Sequence, residues 1–188
     1  MPDPTNPLII QGDQTILLEV NNEHYIHARD ALARFAELEK SPEHIHTYRI
    51  TPLSLWNAAS SGLRACEILD ALGKYSKYDL PGNVTRDIED HISRYGRVKL
   101  LYQDEMLLLI SEDPVLIAEI VHHKSVQPYL LEQINSFQIR INPAMRGHLK
   151  QALAHIGYPA EDLAGYVTGE NLSFQLLPVT QAGQAFNI

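Results

Sequence analysis

The stretch from His44 to Ile110 constrains this chain more than any other, because its breakers and apolar spacing fix one order of elements. His44-Ile45-His46-Thr47-Tyr48-Arg49-Ile50 reads as a strand. Thr51-Pro52 then supplies a capping oxygen followed by proline at the first helical position, where a missing N–H costs nothing. The helix it starts, Leu53 to Ser61, ends at Gly62, a residue suited to the left-handed conformation beyond a helix. A second helix carries Ala65, Ile68, Leu69 and Leu72 on one face. After Leu80-Pro81-Gly82, a third carries Val84, Ile88, Ile92 and Tyr95 and closes at Gly96. Arg97 to Tyr102 and Met106 to Ile110 then read as two strands joined by Gln103-Asp104-Glu105. Strand, three helices and hairpin is the order of a winged helix, a helix-turn-helix core followed by a two-stranded wing. Short helices plus a hairpin also occur in other α+β folds.

The flanks complete the expected architecture. Leu8-Ile9-Ile10 and Thr15-Ile16-Leu17-Leu18 read as short strands around a Gly12-Asp13 turn, and such a hairpin must pack on something to persist. Asn22 precedes a helix in which Tyr25, Ala28, Leu32 and Phe35 recur at helical spacing, with Ser41-Pro42 as its breaker. Beyond Ser111, Asp113-Pro114 caps a helix to about His122, and Phe137 to Ile141 forms a strand. Asn142-Pro143 opens a helix with Leu149, Leu153 and Ile156 that ends at Gly157, and Leu172 to Leu177 forms a last strand. Gly165-Tyr166-Val167-Thr168-Gly169 reads as a turn. The expected fold is therefore α+β. Residues 1–110 form an N-terminal domain, a β-hairpin and helix leading into a winged-helix-like core at 44–110, and residues 111–188 form a small α/β domain.

Composition decides which functions are open. Apolar residues make up 45% of the 188 and charged residues 20%, which specifies a folded chain. No apolar run nears the ~20 residues that span a bilayer, and the polar Met1 to Pro7 segment is neither a signal nor a transit sequence. Cys66 is the lone cysteine, so no internal disulfide is available and a cytoplasmic location is expected, with no membrane partner. The net charge of -8 opposes tight, non-specific nucleic-acid binding. Only the middle, 44–110, is balanced, with 8 basic and 8 acidic groups. If any part meets DNA, it is this one.

A search for chemistry finds none. No glycine-rich loop ends in Gly-Lys-Ser or Gly-Lys-Thr, so nothing cradles a nucleoside triphosphate. His44 and His46 share a strand face and His122-His123 diverge, but no third ligand is marked by spacing, so no metal site is expected. Cys66, beside Ala65 on the second helix, is expected to be a buried, inert thiol with no base next to it. No catalytic residue is assigned.

The third helix is the more informative element. In a DNA-reading winged helix its outward side is basic or amidic. Here that side carries Arg86, Asp87, Glu89, Asp90, Ser93 and Arg94. The acids Asp87, Glu89 and Asp90 make it a candidate protein-docking face. Basic residues cluster elsewhere, at Lys74 and Lys77 after the second helix and at Arg94, Arg97 and Lys99 leading into the wing. Tyr75 and Tyr78 interleave with the lysines, an arrangement that stacks on bases or packs on protein. Lys74, Tyr75, Lys77, Arg94, Arg97 and Lys99 are thus the candidates for contact with DNA or a partner, against the plain alternative of a solvated loop.

Three segments resemble one family. Ser41 to Leu63, with its His-x-His-x-Tyr strand, Tyr75-Ser76-Lys77, and Ser93-Arg94-Tyr95-Gly96-Arg97-Val98-Lys99-Leu100 resemble the N-terminal region of XPB-type DNA repair helicases in order and spacing, as in a bacterial member. More weakly, Ala154-His155-Ile156-Gly157-Tyr158-Pro159-Ala160-Glu161 through Phe174 resembles the damage-recognition region that leads into the helicase motor. The resemblance implies an accessory part, upstream of the ATPase, of a superfamily 2 translocase that opens DNA 3′ to 5′. ATP and magnesium would belong to a motor beyond Ile188, and the motor domains would be partners in cis. In eukaryotic members this region holds a neighbouring subunit of the transcription and repair factor, which bacteria lack. A repair protein or nuclease, and forked or damaged DNA, are the partners then implied. The alternative is a free-standing winged-helix adaptor or regulator.

Overall fold

Apolar alternation at Leu8, Ile10, Ile16 and Leu18 folds β1 (Leu8–Ile10) and β2 (Thr15–Glu19) into the expected hairpin, with Ile10 opposite Ile16 and Leu8 opposite Leu18. All four side chains are buried. In the computed structural model, which describes residues 3–165, this hairpin joins β3 (Glu37–Lys40) and β4 (Ile45–Arg49) in a four-stranded antiparallel sheet of order β1-β2-β4-β3. Strand β3 falls where the sequence pattern suggested helix. The helix α1 (Tyr25–Leu32) stops well before Ser41-Pro42. The residues of β3, Glu-Leu-Glu-Lys, are all exposed, and a charged edge discourages further pairing.

Helices α2 (Pro52–Ser60), α3 (Ala65–Tyr75) and α4 (Gly82–Arg94) form as their spacing predicts. Thr51 Oγ1 accepts from the Ser54 N–H at 3.0 Å, and Ser54 Oγ accepts from the Thr51 N–H at 3.0 Å, a reciprocal cap. Gly62 takes φ +84° beyond α2, a conformation in which a β-carbon is strained. Ile68 and Leu72 of α3, and Val84 and Ile88 of α4, meet Ile16, Leu18 and Tyr48 in one core. Each such buried side chain contributes roughly 1.5–3 kcal/mol. Cys66 lies one step around α3 from that stripe and is exposed, which corrects the expectation of a buried thiol.

The hairpin β5 (Val98–Gln103) and β6 (Met106–Ile110) is not a wing on these helices. β6 pairs on its far side with β8 (Gln138–Ile141), which pairs with β7 (Leu130–Asn135), while β5 pairs in parallel with β9 (Ala160–Asp162). The order is β7-β8-β6-β5-β9, so the expected wing is the centre of a second sheet. Met106-Leu107-Leu108-Leu109-Ile110 shows the physical reason. A solvated wing would alternate, whereas this run is apolar on both faces, as a central strand requires, and Leu107, Leu108 and Leu109 are all buried.

Helices α5 (Pro114–His122) and α6 (Arg146–His155) cover the second sheet through Leu116, Ile117, Ile120, Leu149 and Leu153. Asp113 caps α5 as expected, accepting from the Val115 N–H at 2.9 Å. Asn142 caps a single 3-10 turn ahead of α6 and does not cap the helix itself. Val98, Leu100, Leu107 and Leu109 belong to the second core and none to the first. The chain therefore passes from one core to the other at Tyr95–Arg97, ahead of Ser111. The strand expected at Leu172 to Leu177 and most of the Gly165–Gly169 turn lie outside the described residues.

Candidate functional site

The six basic and aromatic candidates separate into two places. Lys74, Tyr75 and Lys77 sit at the end of α3 against the first sheet. There the Lys77 N–H donates to Leu8 O at 2.8 Å, and its ammonium lies 2.6 Å from the Glu19 carboxylate. The Lys74 ammonium rests 5.0 Å from the centre of the Tyr75 ring and is exposed beside Asp70, Tyr78 and Asp79. Arg94, Arg97 and Lys99 gather instead at the junction of the two cores. Arg94 pairs with Asp90 at 2.9 Å, Arg97 with Asp113 at 2.8 Å, and Lys99 with Glu161 at 3.8 Å.

That pairing changes what the cations offer. Four of the six candidates face a carboxylate already, and a phosphate would have to displace it. The acids of the candidate docking face are similarly occupied in part. Asp87 accepts from Gln14 Nε2 at 2.7 Å, which fastens α4 to the first hairpin, and Asn83 Nδ2 donates to Gly12 O at 2.6 Å beside it. Glu89 and Asp90 are exposed, with Asp90 holding Arg94.

The junction contains groups the sequence pattern did not mark. Tyr158, in the turn between α6 and β9, has the Arg94 guanidinium 5.8 Å and the Arg97 guanidinium 6.0 Å from its ring centre. Two clefts flank the connector Tyr95-Gly96-Arg97, and Tyr95 lines both. One, of about 490 Å³, is bounded by Arg97, Lys99, Glu112, Asp113 and Phe137. The other, of about 300 Å³, lies between Trp56 and Ser60 of α2 and Lys150, Pro159 and Asp162 of the second unit. Burial pushes the Tyr95 hydroxyl above the usual tyrosine range, and Glu161 adds to it. Asp162 carries the opposite shift. Burial pushes its carboxyl up, but hydrogen bonds from Arg146 and Lys150 outweigh that and hold it below the usual range. The Trp56 indole N–H donates to His91 O at 3.1 Å, joining α2 to α4.

The one Gly-Lys pair of the sequence, Gly73-Lys74, lies inside α3 and is followed by Tyr75, so no helix N-terminus presents its N–H groups to a phosphate there. His46 Nδ1 lies 3.2 Å from the Tyr25 hydroxyl, and His44 offers its backbone carbonyl to the Val20 N–H. Among the described residues no three His, Cys, Asp or Glu side chains come together as metal ligands. No helix of the described residues is long and apolar enough to cross a membrane.

Comparison with known proteins connects the fold to helicases. The chain is 48% identical over 165 residues to the DNA 3′-5′ helicase XPB of Mycobacterium tuberculosis (strain ATCC 25618 / H37Rv) and 45% identical over 165 residues to that of Kineococcus radiotolerans. Both alignments cover 87% of this chain and 30% of the relative. It is also 33% identical over 177 residues to the general transcription and DNA repair factor IIH helicase/translocase subunit XPB of Enterocytozoon bieneusi, covering 89% of this chain and 27% of that protein. The chain thus spans less than a third of the length of these curated relatives. Residues 8–135, from the first hairpin through β7, match the family model described as the helicase conserved C-terminal domain, and the chain belongs to that family.

Proposed function

We propose that this chain is a non-catalytic accessory region of an XPB-like, ATP-dependent 3′-5′ DNA helicase of DNA repair, and that its main role is to dock protein. The observation that carries the reading is the likeness to bacterial proteins named DNA 3′-5′ helicase XPB across most of the chain. The family description speaks of a C-terminal helicase domain. The residue resemblances at 41–63, 75–77 and 93–100 support an accessory region ahead of the motor, with 154–165 opening a damage-recognition-like part. ATP and magnesium belong to motor domains in cis, since no phosphate loop occurs in this sequence. A repair protein or nuclease is the partner, the cell compartment is the cytoplasm, and contact with forked or damaged DNA is secondary.

Electrostatics supports that ranking. Phosphate neutralisation drives DNA binding, and log affinity falls with log salt at a slope of roughly −0.9 per contact. With Lys77, Arg94, Arg97 and Lys99 already paired with acids, few cations are released to phosphates. Binding of the 188-residue chain to a fluorescent forked duplex across a salt series should be weak, with a slope no steeper than about −2. The double reversal Lys77→Glu, Arg97→Glu should change affinity less than threefold. Tight binding with a slope beyond about −5, lost in that variant, would make DNA engagement the main role.

A further inference from the structure

We infer that Tyr95-Gly96-Arg97 is a hinge between the two units, and that Tyr158 held against Arg94 and Arg97 is the latch that fixes its angle. The joint is thin. The two cores share no residue, and the chain crosses between them once, within three residues. Units with separate cores joined by a short connector move relative to one another unless something specific holds them. Room for motion exists at the connector, because the cleft of about 300 Å³ is walled by both units and the cleft of about 490 Å³ flanks the connector on the side of the second, with Tyr95 lining each.

The latch is built from both units. Arg94 belongs to α4 of the first unit and is steadied by Asp90 one turn earlier, while Tyr158 follows α6 of the second. Arg97, anchored on Asp113 at the start of α5, approaches the same ring. Two glycines let the parts come this close. A β-carbon on Gly157, which adopts φ +86°, would stand 3.0 Å from Arg94 Nη1, and one on Gly96, at φ +77°, would stand 3.3 Å from the Glu161 carboxylate. Left-handed backbone at both positions is cheap only for glycine. Cation–ring attraction contributes about 0.5–1 kcal/mol when exposed and more when desolvated, so the latch holds an angle without welding it.

The native thiol gives a direct readout. Cys66 is exposed on the first unit, and Lys124→Cys places a second thiol on the exposed turn after α5. With both spin-labelled on the full chain, pulsed dipolar spectroscopy should give one narrow distance distribution for the parent. Tyr158→Ala and Arg94→Gln should each at least double its width, while Tyr158→Phe, which keeps the ring, should leave it narrow. Because Arg94→Gln keeps a polar side chain at the half-buried end of α4 and leaves both apolar cores intact, it serves if Tyr158→Ala does not fold. Raising salt to 1 M on the parent should broaden the distribution as well, since the Asp90 and Asp113 anchors are screened. Unchanged width in Arg94→Gln and at high salt would overturn the latch. Equal broadening by Tyr158→Phe would move the role from the ring face to the hydroxyl and would overturn it too.

Discussion

Replacing Asp162 by Asn removes a charge that two cations of the second unit share. Its carboxylate accepts from Arg146 Nε at 3.0 Å and from Lys150 Nζ at 2.9 Å, with a further bond from Arg146 Nη2. The Asp162 side chain is 12% exposed, Arg146 18% and Lys150 37%. Breaking a fully buried pair costs about 3–5 kcal/mol, mostly through the charge left behind. Here Lys150 keeps partial access to water and asparagine keeps one acceptor, so a loss of about 2 kcal/mol is expected. With a urea slope of about 2 kcal/mol/M, the midpoint of the second unit should fall by about 1 M, followed by far-ultraviolet circular dichroism.

The pH dependence supplies a second, independent sign. Burial raises the Asp162 pKa, but the Arg146 and Lys150 hydrogen bonds more than offset it, and the folded value lies below the usual range. The stabilisation is therefore complete above the unfolded aspartate pKa of about 3.9 and is lost as pH falls through the lower folded value. The parent should lose stability below about pH 4, and Asp162→Asn should lose less over the same interval. A midpoint shift under about 0.2 M, or identical acid profiles, would refute the assignment of Asp162 as the brace between α6 and β9.

Two further substitutions test the architecture. Leu108→Ala should destabilise the second unit by about 2–4 kcal/mol, because a central strand buries both faces, whereas a wing residue would lose under 0.5; urea denaturation separates the two. Asp104 and Glu105 form the β5–β6 turn at φ +48° and +62°. Glu105→Gly should therefore raise stability by about 0.5–1 kcal/mol, read as a higher thermal midpoint, and a lower midpoint would contradict the strained-turn account.

The sequence pattern reached local structure well and long-range structure poorly. Thr51-Pro52 and Asp113-Pro114 sit where caps were expected, and Ile68, Leu72, Val84 and Ile88 bury as their helical spacing implies. What spacing does not carry is the partner of a strand. β5 and β6 read as a hairpin, and only the unbroken apolar run at 106–110 signalled that neighbours lie on both sides. β3, β7 and β9 escaped notice because short, polar or exposed strands lack alternation; their pairing is decided by distant residues. At the candidate site, the Asp90–Arg94 pair is legible at i, i+4. The partners Glu19, Asp113 and Glu161 are not, since the fold brings them from 58, 16 and 62 residues away. Tyr158 was covered by the weaker resemblance at 154–174, but nothing local announced that two arginines converge on it.

The measurement that bears most directly on the account is ATP hydrolysis by the purified 188-residue chain, with magnesium and a forked duplex present. No phosphate release above buffer and no strand separation are expected, because no glycine-rich loop ending in Gly-Lys-Ser or Gly-Lys-Thr occurs in this sequence. DNA-stimulated hydrolysis that tracks the chain through purification and titrates with its concentration would contradict it.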